Sequence, residues 1–177
     1  QHSIQAGMTG FTHLFNAMAS VSARNPGTVG AAVDSEHCRC GVIVDGHHVH
    51  PAMLRLALAA LGPNRMLLVT DAMPSVGSEQ ASFQLFGQTI KVLEGACLSE
   101  NGTLAGSNLN MAAAVRNAVA MLALDTAEAV RMASQYPAEF LGLDAELGHI
   151  KVGQRANLVL ADHNLQVLDT WIDGESS

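Results

Sequence analysis

The sequence predicts an α/β fold built on a parallel sheet, with chemically competent side chains gathered at the carboxyl ends of its strands. Two runs, Cys40–Asp45 (CGVIVD) and Met66–Asp71 (MLLVTD), are continuously apolar until their last residues rather than alternating, as strands covered on both faces are. Between them lies Pro51–Leu61, with a proline at a helix start and Gly62-Pro63 at its end. A strand–helix–strand unit of this kind makes the two strands parallel, joined by a right-handed crossover. The third observation is chemical: each strand-like run delivers polar residues at its end.

Taken in order, QHSIQAG reads as the end of a helix closed by Gly7, so the chain is expected to begin in mid-fold. Met8–Phe15 (MTGFTHLF) reads as the first strand and runs into Thr12-His13 and then Asn16-Ala17. The second strand ends Asp45-Gly46-His47-His48, and the third ends at Asp71. From Phe83 to Leu98 two short β-type runs around Gly87 and Gly95 predict hairpins, and Asn101-Gly102 marks a turn. Ser107 or Asn108 is placed to cap a helix whose apolar face includes Met111, Val115, Val119 and Leu122. Asp125-Thr126-Ala127-Glu128 is a capping-box pattern for a further helix, ending near Tyr136-Pro137 and resuming to Leu141-Gly142. After residue 147 the composition shifts to short strand and turn segments, HIKVG, ANLVLAD and VLDTWIDG, which predict a small β appendage.

The 177 residues are 49% hydrophobic and 14% charged, enough for a core of ordinary size. A formal charge of −7 offers no basic face, which argues against a nucleic-acid or anionic-membrane partner. No apolar run approaches the roughly 18 residues of a membrane span, and no signal peptide opens the chain. The three cysteines, Cys38, Cys40 and Cys97, are odd in number, with a C-x-C too tight for an ordinary bridge; they are expected to be reduced thiols in a cytoplasmic protein. A metal clip at His37-Cys38-Arg39-Cys40 lacks the second ligand pair it needs.

One aspartate after a strand is most simply a turn or cap. Three successive strands carrying His13, Asp45-His47-His48 and Asp71 to one rim are a different matter, because the site of a parallel α/β sheet or barrel lies at the carboxyl ends of its strands. Neutral imidazole is a good ligand for zinc or iron(II), and a carboxylate beside it can take a proton from water. No G-x-S-x-G elbow or P-loop supports a serine-hydrolase or nucleotide-phosphate reading.

In order along the chain stand Thr12-His13-Leu14-Phe15-Asn16-Ala17-Met18, Arg24-Asn25-Pro26-Gly27, Gly41-Val42-Ile43-Val44-Asp45-Gly46-His47-His48-Val49, Leu68-Val69-Thr70-Asp71-Ala72 and Gly102-Thr103-Leu104-Ala105-Gly106-Ser107. Together they resemble the N-acetylglucosamine-6-phosphate deacetylases of the amidohydrolase superfamily, and the resemblance covers nearly the whole chain. The closing Gly148–Leu158 pattern is superfamily-wide and less specific. The resemblance implies a TIM-like (β/α)8 metal-dependent hydrolase barrel, with residues 1–147 forming its last strands and helices and residues 148–177 a piece of a small β-sandwich domain. It implies a divalent metal, zinc or iron, with His13 as a ligand, and Asp71 as the general base that later protonates the leaving amine. Asn16, Ala17, Asp45, Gly46, His47 and His48 would line the sugar site, Arg24 would pair with the sugar phosphate in a homodimer, and Leu104, Ala105 and Gly106 would close over the substrate as a loop.

The family's metal site also uses a glutamate and another histidine from earlier strands. His2 does not supply one, because it lies eleven residues before His13 and a β–α–β connection normally needs at least about 10–12 residues. A complete barrel typically needs about 250 residues. The chain by itself is therefore expected to hold metal weakly, and an open sheet edge favours self-association. Two rival readings are a dihydroorotase- or deaminase-like amidohydrolase, which the THLFNAM and GTLAGS blocks fit poorly, and a non-catalytic half-barrel acting as an assembly module. His50 is expected to cap its helix, His47 to pack behind the site, and His37, His149 and His163 to be solvated.

Overall fold

The computed structural model describes residues 2–177. Its framework is a parallel sheet of three strands, β1 (Gly10–Phe11), β2 (Arg39–Val42) and β3 (Met66–Leu68), in that spatial order. Phe11 lies opposite Cys40, and Val42 opposite Leu68, so the three carboxyl ends open on one rim. The strands are shorter than the apolar runs. The first stops at Phe11 rather than Phe15 because His13, Phe15 and Ala17 take positive φ (31°, 79° and 52°), which bends the chain into successive turns.

Six helices are described: α1 (His2–Gln5), α2 (Gly27–Asp34), α3 (Pro51–Leu61), α4 (Met111–Leu122), α5 (Thr126–Ala133) and α6 (Gln135–Leu141). Helix α3 has the predicted bounds. His50 caps it, its Nδ1 accepting from Ala52 N at 3.2 Å, and its buried stripe is Leu54, Ala57 and Leu61. Helix α2 has no counterpart in the sequence reading: GTVGAAVD carries two glycines and turns only Val29 and Ala32 into the core. Helix α4 is capped by Asn110, whose Oδ1 accepts from Ala113 N at 2.8 Å, not by Ser107 or Asn108. Its buried residues are Ala114, Val115, Ala118 and Leu122, while Met111 is 37% exposed. Asp125 caps α5 by accepting from Glu128 N at 2.8 Å, but Glu128 turns to Arg131 and to the Tyr136 hydroxyl instead of closing the box. Helices α4, α5 and α6 all pack on β3, and the fully buried Val42, Ile43, Val44, Leu54, Met66 and Met132 belong to the core so formed. At the opposite end from the rim, Arg65 donates to the carbonyls of Cys38 (3.0 Å), Ala32 (2.8 Å) and Ser35, tying α2 to β2.

A second, antiparallel sheet runs β4 (Ser82–Leu85), β5 (Gln88–Leu93), β6 (Ala96–Leu98) and β7 (Leu104–Ser107). Its first two connections are two-residue hairpins, Phe86-Gly87 and Glu94-Gly95, with positive φ at both residues, which suits the twist of the flanking strands. The expectation of a loop at Leu104, Ala105 and Gly106 is corrected here: they form β7. The strand pairs with β6 across a bulge, with Ala96 opposite Ser107 and Leu98 opposite Leu104. A third sheet, β8 (Leu158–Ala161), β9 (Val167–Ile172) and β10 (Glu175–Ser176), is antiparallel in the order β10-β9-β8. The HIKVG segment is turn rather than strand, with Ile150 and Val152 almost fully exposed. Cys38, Cys40 and Cys97 are buried and free, and burial pushes the Cys40 thiol up to about 11 against the pull of Arg65. No described helix is long and apolar enough to cross a membrane.

Candidate active site

His13 lies two residues beyond β1, Asp45 three beyond β2 and Asp71 three beyond β3, all at the same end of the parallel sheet. Backbone bonds carry the rim past the strands proper: Leu14 N donates to Gly41 O (2.8 Å) and Val69 N to Val42 O (3.1 Å). Gly41 matters in that approach, since a Cβ there would sit 3.1 Å from Val69 Cγ1 and 3.5 Å from His13 N. His13 Nδ1 is buried with no hydrogen-bond partner. Buried polar atoms are nearly always paired, so an unpaired imidazole nitrogen beside a strand end is a group awaiting a ligand or proton partner. Asn16 closes the turn behind it, its backbone N donating to His13 O at 2.9 Å and its Nδ2 to the same oxygen at 3.3 Å. Ala17 is exposed on that turn.

The segment after β2 is organised by Asp45. Its Oδ1 accepts from the backbone N of His47 and of His48, each at 2.9 Å, and its Oδ2 lies 2.6 Å from His48 Nδ1. Burial opposes ionisation of Asp45, but the His48 ring and these two N–H groups outweigh it and hold the carboxyl below its usual value. Asn117 of α4 donates to Val44 O at 2.8 Å and so anchors the strand end just before the turn. Gly46 and His47 face β5–β7 across a groove of ≈ 620 Å³ that they line with Leu93, Glu94, Ala96, Leu98 and Leu104. The structure thus brings Gly46, His47 and Leu104 to one groove.

Asp71 is exposed, with φ at +50°. Its backbone is held by a residue that sequence reasoning assigned elsewhere. Ser107, fully buried, donates its N–H to Asp71 O (2.9 Å), accepts from Met73 N (2.9 Å), and gives its hydroxyl to Thr70 O while accepting from Leu109 N (3.1 Å). Gly106 fits beside this clamp because it has no side chain: at φ +79° a Cβ would stand 2.5 Å from Met73 Cε, 2.9 Å from Met73 Cγ and 3.1 Å from Asp71 O. The position of Ser107 inside the GTLAGS block was its one signal in the sequence.

Arg24 sits apart, exposed at the tip of a turn in the β1–α2 connection. Ser22 Oγ and the Asn25 backbone clasp that turn, with Asn25 N donating to Ser22 Oγ at 3.1 Å and Ser22 Oγ to Asn25 O at 3.2 Å. No ion pair to Arg24 occurs among the described residues. His37, His149 and His163 are exposed, and His2 is an exposed residue of α1. Among the described residues no group of three His, Cys, Asp or Glu side chains could hold a metal ion. His13 therefore fits one coordination position, and the described residues do not complete a site around it.

Comparison with known proteins identifies the family. Residues 12–176 match the model of the Amidohydrolase family. The N-acetylgalactosamine-6-phosphate deacetylase of Shewanella sp. (strain ANA-3) is 47% identical over 98% of this chain and 44% of its own length. A putative N-acetylgalactosamine-6-phosphate deacetylase of Escherichia coli (strain K12) is 40% identical over 92% of this chain and 97% of that protein. The crystal structure of N-acetylglucosamine-6-phosphate deacetylase from Pasteurella multocida superposes with a TM-score of 0.96 at 39% identity, over all of this chain and 46% of that one. The chain thus spans under half the length of the Shewanella and Pasteurella proteins. A family match running from the His13 turn to the last strand, and a solved relative superposing on the whole chain, lead to one statement: this chain belongs to the amidohydrolase family.

Proposed function

We propose that the chain carries the substrate-binding and proton-transfer half of a metal-dependent deacetylase that hydrolyses N-acetylglucosamine 6-phosphate to glucosamine 6-phosphate and acetate, in cytoplasmic amino-sugar catabolism. The observation that carries the reading is the rim itself: three successive parallel strands present His13, Asp45–His48 and Asp71 together, with His13 Nδ1 unpaired. The names of the relatives supply the substrate class. The architecture proposed is the last strands and helices of a (β/α)8 barrel over residues 1–147, with 148–177 part of a small β domain.

In this reading a divalent ion, zinc or iron, would supply Lewis acidity that lowers the pKa of water toward ~7, and His13 would be one of the residues that hold it. The described residues gather no group of three His, Cys, Asp or Glu side chains there. Asp71 accepts the proton of the attacking water and returns it to the nitrogen that leaves as the amine, so one carboxylate serves both halves of the hydrolysis. The turn at Asn16-Ala17 and the segment Asp45-Gly46-His47-His48 orient the sugar. Leu104, Ala105 and Gly106 border the substrate as a strand edge. Arg24, whose guanidinium fork matches phosphate oxygens, binds the 6-phosphate, and its exposed turn is suited to reaching the site of a second protomer in a homodimer.

A second substrate reading differs in one stereocentre. The 47% identical relative is named for the galactosamine epimer, which favours testing N-acetylgalactosamine 6-phosphate beside its C4 epimer. The experiment is acetate release from both sugar phosphates and from their unphosphorylated forms, with zinc or iron(II) supplied in excess. Release confined to a phosphorylated sugar supports the proposal, and the faster epimer fixes the substrate. Equal use of unphosphorylated sugar would overturn the phosphate assignment.

A further inference from the structure

The carboxylate of Asp45 is placed as no direct sugar ligand would be. Its side chain is 4% exposed and that of His48 5%, and its two oxygens already take three N–H groups from the turn that it closes. A carboxylate accepts and does not donate, so at 2.6 Å the proton between Asp45 Oδ2 and His48 Nδ1 belongs to the imidazole. That leaves Nε2 as the one ring atom of His48 with unspent hydrogen-bonding capacity. It has no protein partner among the described residues, and it is absent from their buried unpaired atoms, unlike His13 Nδ1. The turn is held from both sides, by Asn117 on Val44 O and by the buried side chain of Val49, so the ring is fixed relative to the strand end.

We infer that Asp45 is a positioning residue that acts through His48, fixing the imidazole with its proton on Nδ1 and its Nε2 free to engage the amino-sugar phosphate. The inference rests on the sugar-phosphate reading above for the identity of the ligand, but not for the state of the ring. It moves Asp45 from the set of residues that touch substrate to the one that orients a neighbour, the role a carboxylate plays behind a histidine whose tautomer matters.

The informative variant is Asp45→Asn. Its amide oxygen still accepts from His47 N and His48 N, so the turn survives. Its Nδ2 is a donor where a carboxylate oxygen was an acceptor, which drives the His48 proton to Nε2. Long-range 1H–15N spectra of the 15N-labelled chain read the ring directly, with His48→Gln identifying the resonances. The expected result is a protonated Nδ1 in the wild type and an Nε2–H tautomer in D45N, with the amides of His47 and His48 little changed. Titration with N-acetylglucosamine 6-phosphate should then shift Nε2 in the wild type, and D45N should bind about 10- to 100-fold more weakly, by analogy with a metal-ligating histidine that loses its orienting partner. A wild-type ring with its single proton on Nε2, a ring unchanged by D45N, or a flipped ring with unchanged affinity would each overturn the inference. A correctly held ring whose Nε2 ignores millimolar sugar phosphate would instead sink the substrate reading.

Discussion

Gly106→Ala offers a test of how Asp71 is held, because another glycine supplies its control. Gly106 and Gly87 share a positive φ, +79° and +80°, but differ in their surroundings. A Cβ at Gly87 meets nothing within 4 Å, whereas one at Gly106 meets Met73 Cε at 2.5 Å, Met73 Cγ at 2.9 Å and Asp71 O at 3.1 Å. Placing alanine in the left-handed region costs about 1–2 kcal/mol at either site. Overpacking adds about 1–3 kcal/mol at Gly106 alone. The swinging Met73 methyl can yield, but the Asp71 carbonyl is tied to Ser107 N at 2.9 Å and can yield only by weakening that bond. Urea unfolding of the two variants, followed by circular dichroism, should therefore show G106A less stable than G87A by about 1–3 kcal/mol. Equal losses in the two variants would refute the idea that β7 is pressed against the Asp71 turn.

Three further outcomes follow from the same geometry. Ser107→Ala removes the partner of the half-buried Thr70 carbonyl and of the buried Leu109 N–H and should cost about 1–3 kcal/mol by urea unfolding; a change under about 0.5 kcal/mol would mean that those groups find other partners. Asp45 has a folded-state pKa below its ordinary 3.8, so its contribution to stability is complete above that value and is lost as the pH falls below 3.8 through the lowered folded value. The stability gap between wild type and D45N should narrow over that acid window, and a gap independent of pH would contradict the hydrogen-bonded, ionised carboxylate. Arg24→Ala should raise KM for the phosphorylated sugar tenfold or more, on the order of one charge-assisted phosphate contact, while leaving KM for the unphosphorylated sugar unchanged; equal effects on both would remove Arg24 from the phosphate site.

What could be read from the sequence was what local chemistry dictates. Pro51 and Gly62-Pro63 bracket α3 with signals that act within one turn, and the Phe86-Gly87 and Glu94-Gly95 hairpins rest on adjacent residues. The unbroken apolar runs of β2 and β3 announced a parallel pair, and the register puts the polar groups after them on one rim. The failures have physical causes. His13, Phe15 and Ala17 bend the chain after Phe11 with positive φ at residues that are not glycine, so nothing in the letters marks the end of β1. Leu104–Gly106 is a strand because of its partner β6 and the Ala72–Ser107 bridge, contacts that short-range patterns do not encode. Ser107 looked like a helix cap and is instead the clamp on Thr70 and Asp71, residues 37 and 36 positions away along the chain. Asp45 illustrates the reverse difficulty: its place in the rim was legible, but its engagement with His48 depends on a side-chain distance that no motif supplies.

The most direct test of the central claim is acetate release from N-acetylglucosamine 6-phosphate by wild type and Asp71→Asn in parallel, with zinc or iron(II) in excess because the described residues gather no group of three His, Cys, Asp or Glu side chains to hold a metal. The account predicts phosphate-dependent release by the wild type and a fall of about 10²–10⁴-fold in D71N, the range for loss of a general acid–base group, with sugar-phosphate binding retained. Undiminished release by D71N, or release that ignores the phosphate, would contradict it, whereas no release by the wild type would mark the chain as an incomplete piece of the enzyme.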